Sequence, residues 1–381
     1  ATFKPLLAKL VHTPDAFTPA DLHRALEHLF TPDAALPEQT GAFLAALHIA
    51  RVEHRPDMLA AAAASLRARA RAVRIDAPDG AVLVDIVGTG GDGHNTFNVS
   101  TTAAIVAAGT GAVNVVKHGS RASTSSSGSA DLLQSLGCIF TPPPTPPSPT
   151  TTPAPPHVLR TLPFRFLLAP HYHPALALLA PARRALSFRT LFNLLGPLLN
   201  PASPPYTLIG VADPALGAPF AAALAAAGAR RALIVCGAEG LDEISCAGPT
   251  RTWEMTRDSA TGDAVVVERT LEPGATFGLP THALASVAGG APADNADTLR
   301  ALLALRRGAA GDGGDGEGEV VVPARLAPVL DFVLMNAAAL LVVAGAAPDY
   351  KAGVRMAREA IVSGGAERAL AAFVEETRAE A

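Results

Sequence analysis

Three short stretches of the chain carry the residue types that phosphate chemistry needs. The first, GTGGDG at 88–93, is followed closely by NTFNVSTT, so a glycine loop leads straight into amides and hydroxyls. Glycines let backbone N–H groups approach an anion closely, and Asn98, Ser100 and Thr101 would add side-chain partners at the positive end of a helix. The second, KHGSR at 117–121, brings Lys117, His118 and Arg121 beside the hydroxyl-rich STSSSGSAD at 123–131. The third, GLDEIS, offers the adjacent carboxylates Asp242 and Glu243. Hard oxygen donors of this kind suit Mg2+ that is shared with a phosphate, although the same pair also reads as a solvated surface loop. Asp92 inside the glycine loop would repel phosphate, so its place calls for a metal, a cation or a substrate hydroxyl.

Two other phosphate motifs compete for the glycine loop. G-x-G-x-x-G after a strand and before a helix is the template of a dinucleotide-binding fold. That fold usually ends its second strand in an acid that holds a ribose, whereas VNVVKHGSR ends in Lys117, His118 and Arg121. An NADP site could use an arginine there, but NTFNVSTT is polar where a dinucleotide fold packs an apolar helix start. A Walker loop is excluded more firmly, because Gly93 is followed by His94 and Asn95 instead of Lys-Ser/Thr. The residues read best as a phosphate cradle made by two neighbouring loops at one sheet edge, beside the plainer readings of a tight strand–helix turn with capping residues and a flexible serine linker.

The flanking elements are legible from pattern. VLVDIV at 82–87 is a β-branched apolar run suited to a strand buried on both faces. A helix over about 100–109, a strand at 112–116 and a helix near 130–136 capped by Ser129 follow. YTLIGVA at 206–212 and ALIVCG at 232–237 read as strands around an Ala-rich helix at 215–227. Helices are expected again over about 325–345 and 350–378. Strand–helix alternation of this kind predicts a mostly parallel sheet. Before Asp76 the chain reads as helical. In TPADLHRALEHLF, Thr18 caps, Pro19 takes the first helical position, and Leu22, Ala25, Leu26 and Leu29 share a face. PEQTGAFLAALHIARV and MLAAAAASLRARARAV supply two more helices, APDG at 77–80 marks the change of texture, and 171–195 reads as helical again.

At 381 residues and 38.8 kDa the chain has room for roughly two domains. Its formal charge of −4 offers no global basic field, so neither nucleic acid nor a membrane surface is an expected partner. Cys138, Cys236 and Cys246 lie far apart without CxxC spacing, which argues against a disulfide framework and a zinc site. ATFKPLLAKLVH is too short in its apolar run for a secretory signal, and no run approaches the ~20 residues of a membrane span. A soluble, cytoplasmic protein is expected. The 33 prolines and 33 glycines exceed the usual ~5% and ~7%, with part of the excess in the low-complexity tracts 141–157 and 308–319, expected to be mobile inserts.

Taken together, DIVGTGGDG, TFNVST, KHGSRAS, SGSADLL, FLLAPHYHPA, RTLFNLLGPLLNPA, GLDEIS and LMNAAALLVVAG resemble the anthranilate phosphoribosyltransferase family along nearly the whole chain. The resemblance implies an α/β fold: a small all-helical N-terminal domain plus a large α/β domain with a mostly parallel central sheet, shared with pyrimidine nucleoside phosphorylases, usually as a homodimer. The expected division is 1–77, with helices from about 171–195 packing on it, and 78–170 with 196–381. The implied reaction moves the phosphoribosyl group of phosphoribosyl pyrophosphate (PRPP) to the amine of anthranilate with Mg2+, in tryptophan biosynthesis. Residue by residue, the resemblance implies that Gly88, Thr89, Gly90, Gly91, Asp92, Asn98, Ser100, Thr101 and Lys117 hold PRPP. Ser100, Asp242 and Glu243 would hold the metal, and Lys117, Asp242 and Glu243 would be catalytic. Gly88, His118, Gly119, Ser120, His173 and Arg183 would border anthranilate, with Arg184 as the neighbouring alternative to Arg183. The chain departs from the family at Ser120, commonly Asn, at Ser187, usually Gly, and in the proline tract. The rivals are a phosphorylase, whose usual KHSGRGLG-like loop does not match, and a non-catalytic protein on the same scaffold.

Overall fold

Four helices open the chain in this computed structural model, which describes residues 2–122, 125–144, 156–306 and 320–381. They are α1 (Phe3–His12), α2 (Pro19–Leu29), α3 (Pro37–Ile49) and α4 (Pro56–Arg67). The last three begin on proline, whose missing N–H is harmless in a first turn. At α2 the expected cap is reciprocal: Thr18 Oγ1 accepts from the Asp21 N–H at 3.2 Å, and the Asp21 carboxylate accepts from the Thr18 N–H at 3.0 Å.

Strands and helices then alternate: β1 (Val73–Asp76), β2 (Leu83–Gly88), α5 (Val99–Gly109), β3 (Asn114–Gly119), α6 (Ser129–Ser135), β4 (His157–Arg160) and β5 (Phe164–Leu168). The short helices α7 (Ala169–Tyr172), α8 (Ala180–Ala185) and α9 (Leu191–Leu194) lead to β6 (Tyr206–Gly210), α10 (Gly217–Ala226), β7 (Arg231–Gly237), β8 (Thr250–Arg257) and β9 (Ala264–Leu271). Four helices close the chain: α11 (Pro292–Leu303), α12 (Ala327–Val343), α13 (Tyr350–Val362) and α14 (Gly365–Ala379). β1 and β4 pair in parallel as a ribbon, and the main sheet has the order β5-β3-β2-β6-β7-β8-β9. Its first five strands are parallel, and β8 and β9 extend it antiparallel. The chain is thus a helical N-terminal unit joined to a large α/β unit with a mostly parallel sheet.

Side chains alternate across each strand, and this divides the core in two. Leu208, Leu233 and Val235 face a cluster with α5, α12 and α14, whereas Ile209 and Ile234 face one shared with α10, the N-terminal helices and Leu191–Leu199. The N-terminal helices therefore pack onto one sheet face through a continuous apolar interior.

Several local expectations are corrected. Segment 171–195 is a series of short helical pieces, because Pro170, Pro174 and Pro181 each restart the backbone. The helix expected over 350–378 breaks at Gly364, which is left-handed at φ 75°, so that Gly365 can pack on Gly109. Ser129 is the first residue of α6, not its cap. Gly128 takes that place, and its N–H is held by the Asp131 carboxylate at 3.0 Å. The helix α1 and the strands β8 and β9 have no counterpart among the expected elements. Of the two inserts, 145–155 and 307–319 lie outside the described residues.

Candidate active site

β2 leads through α5 to β3 on one side, while β6 pairs with its other edge. In an open parallel sheet that reversal leaves a crevice beyond the carboxyl ends of the strands. A cavity of about 250 Å³ lies there. Gly88, Thr89, Gly90, Gly91 and Asp92 line it from β2, Asn98 and Ser100 from the start of α5, and Lys117, His118, Gly119 and Ser120 from β3, with Asp242 and Glu243 opposite. No acid stands in the first turn of α5, so nothing within the helix cancels the partial positive charge of its N-terminus, which borders the crevice.

The acidic loop is held by backbone geometry. The Gly90 N–H donates to Asp242 Oδ2 at 2.6 Å. A Cβ on Gly88 would lie 2.2 Å from that oxygen, and one on Gly210 would lie 1.6 Å from the Asp242 carbonyl oxygen, so the loop fits only over bare strand ends. From the far side, Asn336 in the middle of α12 accepts from the Ile244 N–H and donates to the Ile244 carbonyl, both at 3.1 Å. Burial, reinforced by the neighbouring Asp92, pushes Asp242 up to about 7. Burial and Asp242 push Glu243 well above its ordinary value. Two buried, mutually repelling carboxylates beside Ser100 fit a divalent cation. Among the described residues no three His, Cys, Asp or Glu side chains form a complete cage. Mg2+ keeps water and substrate phosphate in its shell and takes only one or two carboxylates.

Lys117 is 1% exposed. Its ammonium donates to the Ile86 carbonyl and, at 3.3 Å, to Ser100 Oγ, with Asp85, Glu243 and Asp242 around it. Burial works against its charge and the carboxylates favour it. Asp85 is itself pushed up to about 6 by burial and accepts from Asn200 Nδ2 at 2.8 Å. The lysine thus forms the floor of the cavity, beneath its acids. Thr101 lies behind the wall, fully buried, with its hydroxyl donating to Ser129 Oγ at 2.9 Å. The Asn98 amide donates to the Ser127 carbonyl at 2.8 Å and accepts from Asn295 Nδ2 at 2.8 Å, which anchors the serine loop against α5.

On the other side, the buried His118 and His173 rings meet edge to face at 5.1 Å. Burial pulls His118 down to about 3 and His173 to about 4, so both are neutral bodies at ordinary pH. His118 Nε2 has no hydrogen-bond partner among the described residues. Arg183 is half-buried on α8, and its buried Nε is likewise without a partner, while Arg184 is exposed. The inward arginine is therefore Arg183. Neither Arg183 nor His173 lines the cavity itself, and His173 stands behind His118.

Four residues that hold the site were not singled out by motif: Asp85, Arg189, Asn200 and Asn336. Two left a signal. Asp85 interrupts the apolar VLVDIV and Asn336 the apolar run of α12, and a polar group in such a place must find a buried partner. Arg189 and Asn200 lie within RTLFNLLGPLLNPA, where spacing alone assigns them nothing.

Residues 4–70 match the helical bundle domain of the glycosyl transferase family, and residues 80–367 match its a/b domain. An anthranilate phosphoribosyltransferase from Schizosaccharomyces pombe is 42% identical over 377 residues, 98% of this chain and 97% of that one. One from Methylocella silvestris is 40% identical over 372 residues, 98% and 94% of the two chains. Among solved structures, the Saccharomyces cerevisiae anthranilate phosphoribosyltransferase in complex with PRPP and Mg superposes with a TM-score of 0.80 at 32% identity, covering 99% of this chain and 98% of that chain. The same yeast enzyme in complex with 4-fluoroanthranilate gives 0.79 at 31%, with the same coverage. With both domains present in order and similarity running the full length of these relatives, the chain belongs to the anthranilate phosphoribosyltransferase branch of the glycosyl transferase family.

Proposed function

We propose that the chain transfers the phosphoribosyl group of PRPP to the amine of anthranilate, giving N-(5-phosphoribosyl)anthranilate and pyrophosphate, as a Mg2+-dependent step of tryptophan biosynthesis. The observation that carries this reading is one crevice in which the glycine loop, the N-terminus of α5 and the Asp242–Glu243 pair converge. Breaking the bond from ribose C1 to pyrophosphate develops positive charge on the sugar and negative charge on the leaving group. Bound Mg2+ supplies charge neutralisation at that leaving group. With the Thr89 and Gly90 N–H groups engaged by Gly210 and Asp242, the remaining amides of the glycine loop and the first turn of α5 add donors in the same place. Asp242 and Glu243, with Ser100, would hold the cation, and the Lys117 ammonium beneath them favours their charged form against burial. Asn98 and Thr101 serve PRPP through the serine loop they anchor.

No strong base is needed. Anthranilate's aromatic amine is neutral with its lone pair available, and neutral His118, backed by His173, neither protonates it nor repels it. Gly119 and Ser120 border it, and Arg183 supplies the cation for its carboxylate, which positions the amine at C1. We further divide the chain into 1–77, with helices from about 171–195 packing on it, and 78–170 with 196–381, and put the acceptor between the two units. Homodimer formation and a cytoplasmic setting belong to the same proposal, and among the described residues no helix is long and apolar enough to cross a membrane.

The test is to mix protein, PRPP, Mg2+ and anthranilate and to follow anthranilate fluorescence. Loss that requires both PRPP and Mg2+ is expected, and a folded protein that gives none overturns the reading. Asp242→Asn with Glu243→Gln should lower turnover by at least ~10²-fold while leaving anthranilate binding largely intact. Equal loss of both would contradict the metal assignment.

A further inference from the structure

Arg189 lies outside the cavity but touches what builds it. Its Nη2 donates to the Thr89 carbonyl at 2.9 Å. Its guanidinium fills the space over Gly91, where a Cβ would lie 2.3 Å from Nη1. Asp242, Asp92 and Glu53 all act on it electrostatically. Glu53 comes from the N-terminal helical unit, on the turn Val52–His54, and is 2% exposed. It pairs with His48 Nδ1 at 2.7 Å, and the His48 ring stacks on Phe188, the neighbour of Arg189, at 5.2 Å. Glu53 thus meets the segment that carries Arg189 through His48 on Phe188 and through the backbone of Leu191, and the Arg189 charge nearby favours its ionised form.

We propose that Arg189 is a positioning residue: it ties the glycine loop to the segment on which Glu53 and His48 of the helical unit dock, and so sets where Asp92 and Asp242 stand. Docking of the helical unit then shapes the phosphate side of the crevice as well as the acceptor side. This rests on the phosphoribosyl-transfer reading, and two measurements keep the two separable.

In the first, Arg189→Met should raise the KM for PRPP about tenfold, with anthranilate KM changed less than about twofold, and Arg189→Lys should recover part of the loss. Glu53→Gln should shift PRPP KM in the same direction and add little in the Arg189→Met background. In the second, amide hydrogen exchange of 88–94 in the ligand-free protein should quicken in Arg189→Met and Glu53→Gln while α12 stays protected. Unchanged loop exchange in both folded variants overturns the proposal, whatever the activity. So do equal changes in both KM values or additive effects in the double variant. A wild-type protein without activity overturns the transfer reading alone, because the exchange result still decides the role of Arg189. Should Arg189→Met fail to fold, Glu53→Gln and Arg189→Lys carry the same measurements.

Discussion

Gly88 and Gly210 are bare because Asp242 lies where their side chains would be. This is a requirement for close approach, and it yields a sharp expectation. Gly210→Ala puts a methyl 1.6 Å from the Asp242 carbonyl oxygen, so the acidic loop must shift. A displacement of about 1 Å at a catalytic group costs on the order of 10²-fold in rate. Steady-state kinetics should show that loss with near-UV circular dichroism retained, and full activity would show that the loop tolerates the shift. At this scale GTGGDG, KHG and DE were readable because each residue type has a chemical reason at its place. Whether a given hydroxyl or cation faces the crevice was not readable: Ser100 does, Thr101 is turned to Ser129, and Lys117 lies beneath.

Elements were legible where local signals agree. The N-terminus of α2 combines a cap, a proline and an apolar face, and the structure reproduces all three. Its Asp21 is 3% exposed, and although burial opposes ionisation, hydrogen bonds from Lys9, Thr18 and Arg24 hold it well below the usual carboxylate range. A depressed value means stability that is present above the unfolded value of ~3.9 and lost as pH falls below it toward the folded one. Asp21→Asn should therefore lower Tm at neutral pH, and the gap from wild type should close as pH drops below ~3.9. A gap that persists unchanged in acid would assign the effect to packing. The segment 171–195 misled because its apolar spacing suits a helix while its prolines divide it, and β8 and β9 escaped because an antiparallel extension follows no strand–helix rhythm.

Across the whole molecule, α12 joins stability to chemistry. It is buried from Val329 to Val343, and its fully buried Asn336 makes paired hydrogen bonds to the backbone of Ile244, directly after the acidic pair. Asn336→Leu keeps the apolar surroundings but leaves an N–H and a carbonyl unsatisfied, each costing about 1–3 kcal/mol. Urea unfolding should show a lower midpoint, and kinetics should show lower turnover at temperatures where the variant is folded. A destabilised variant with wild-type turnover would separate the helix from the site.

By itself the sequence determined the chemistry and the fold class. Glycine loops, caps, β-branched runs and acidic pairs act through backbone geometry and local charge, which neighbouring residues specify. Tertiary structure alone decided that Arg183 and not Arg184 turns inward, that Lys117 serves as floor, and that Arg189 reaches Thr89 across 100 residues of chain. Those outcomes depend on which surfaces exclude water when distant segments pack, and no spacing along the chain encodes that.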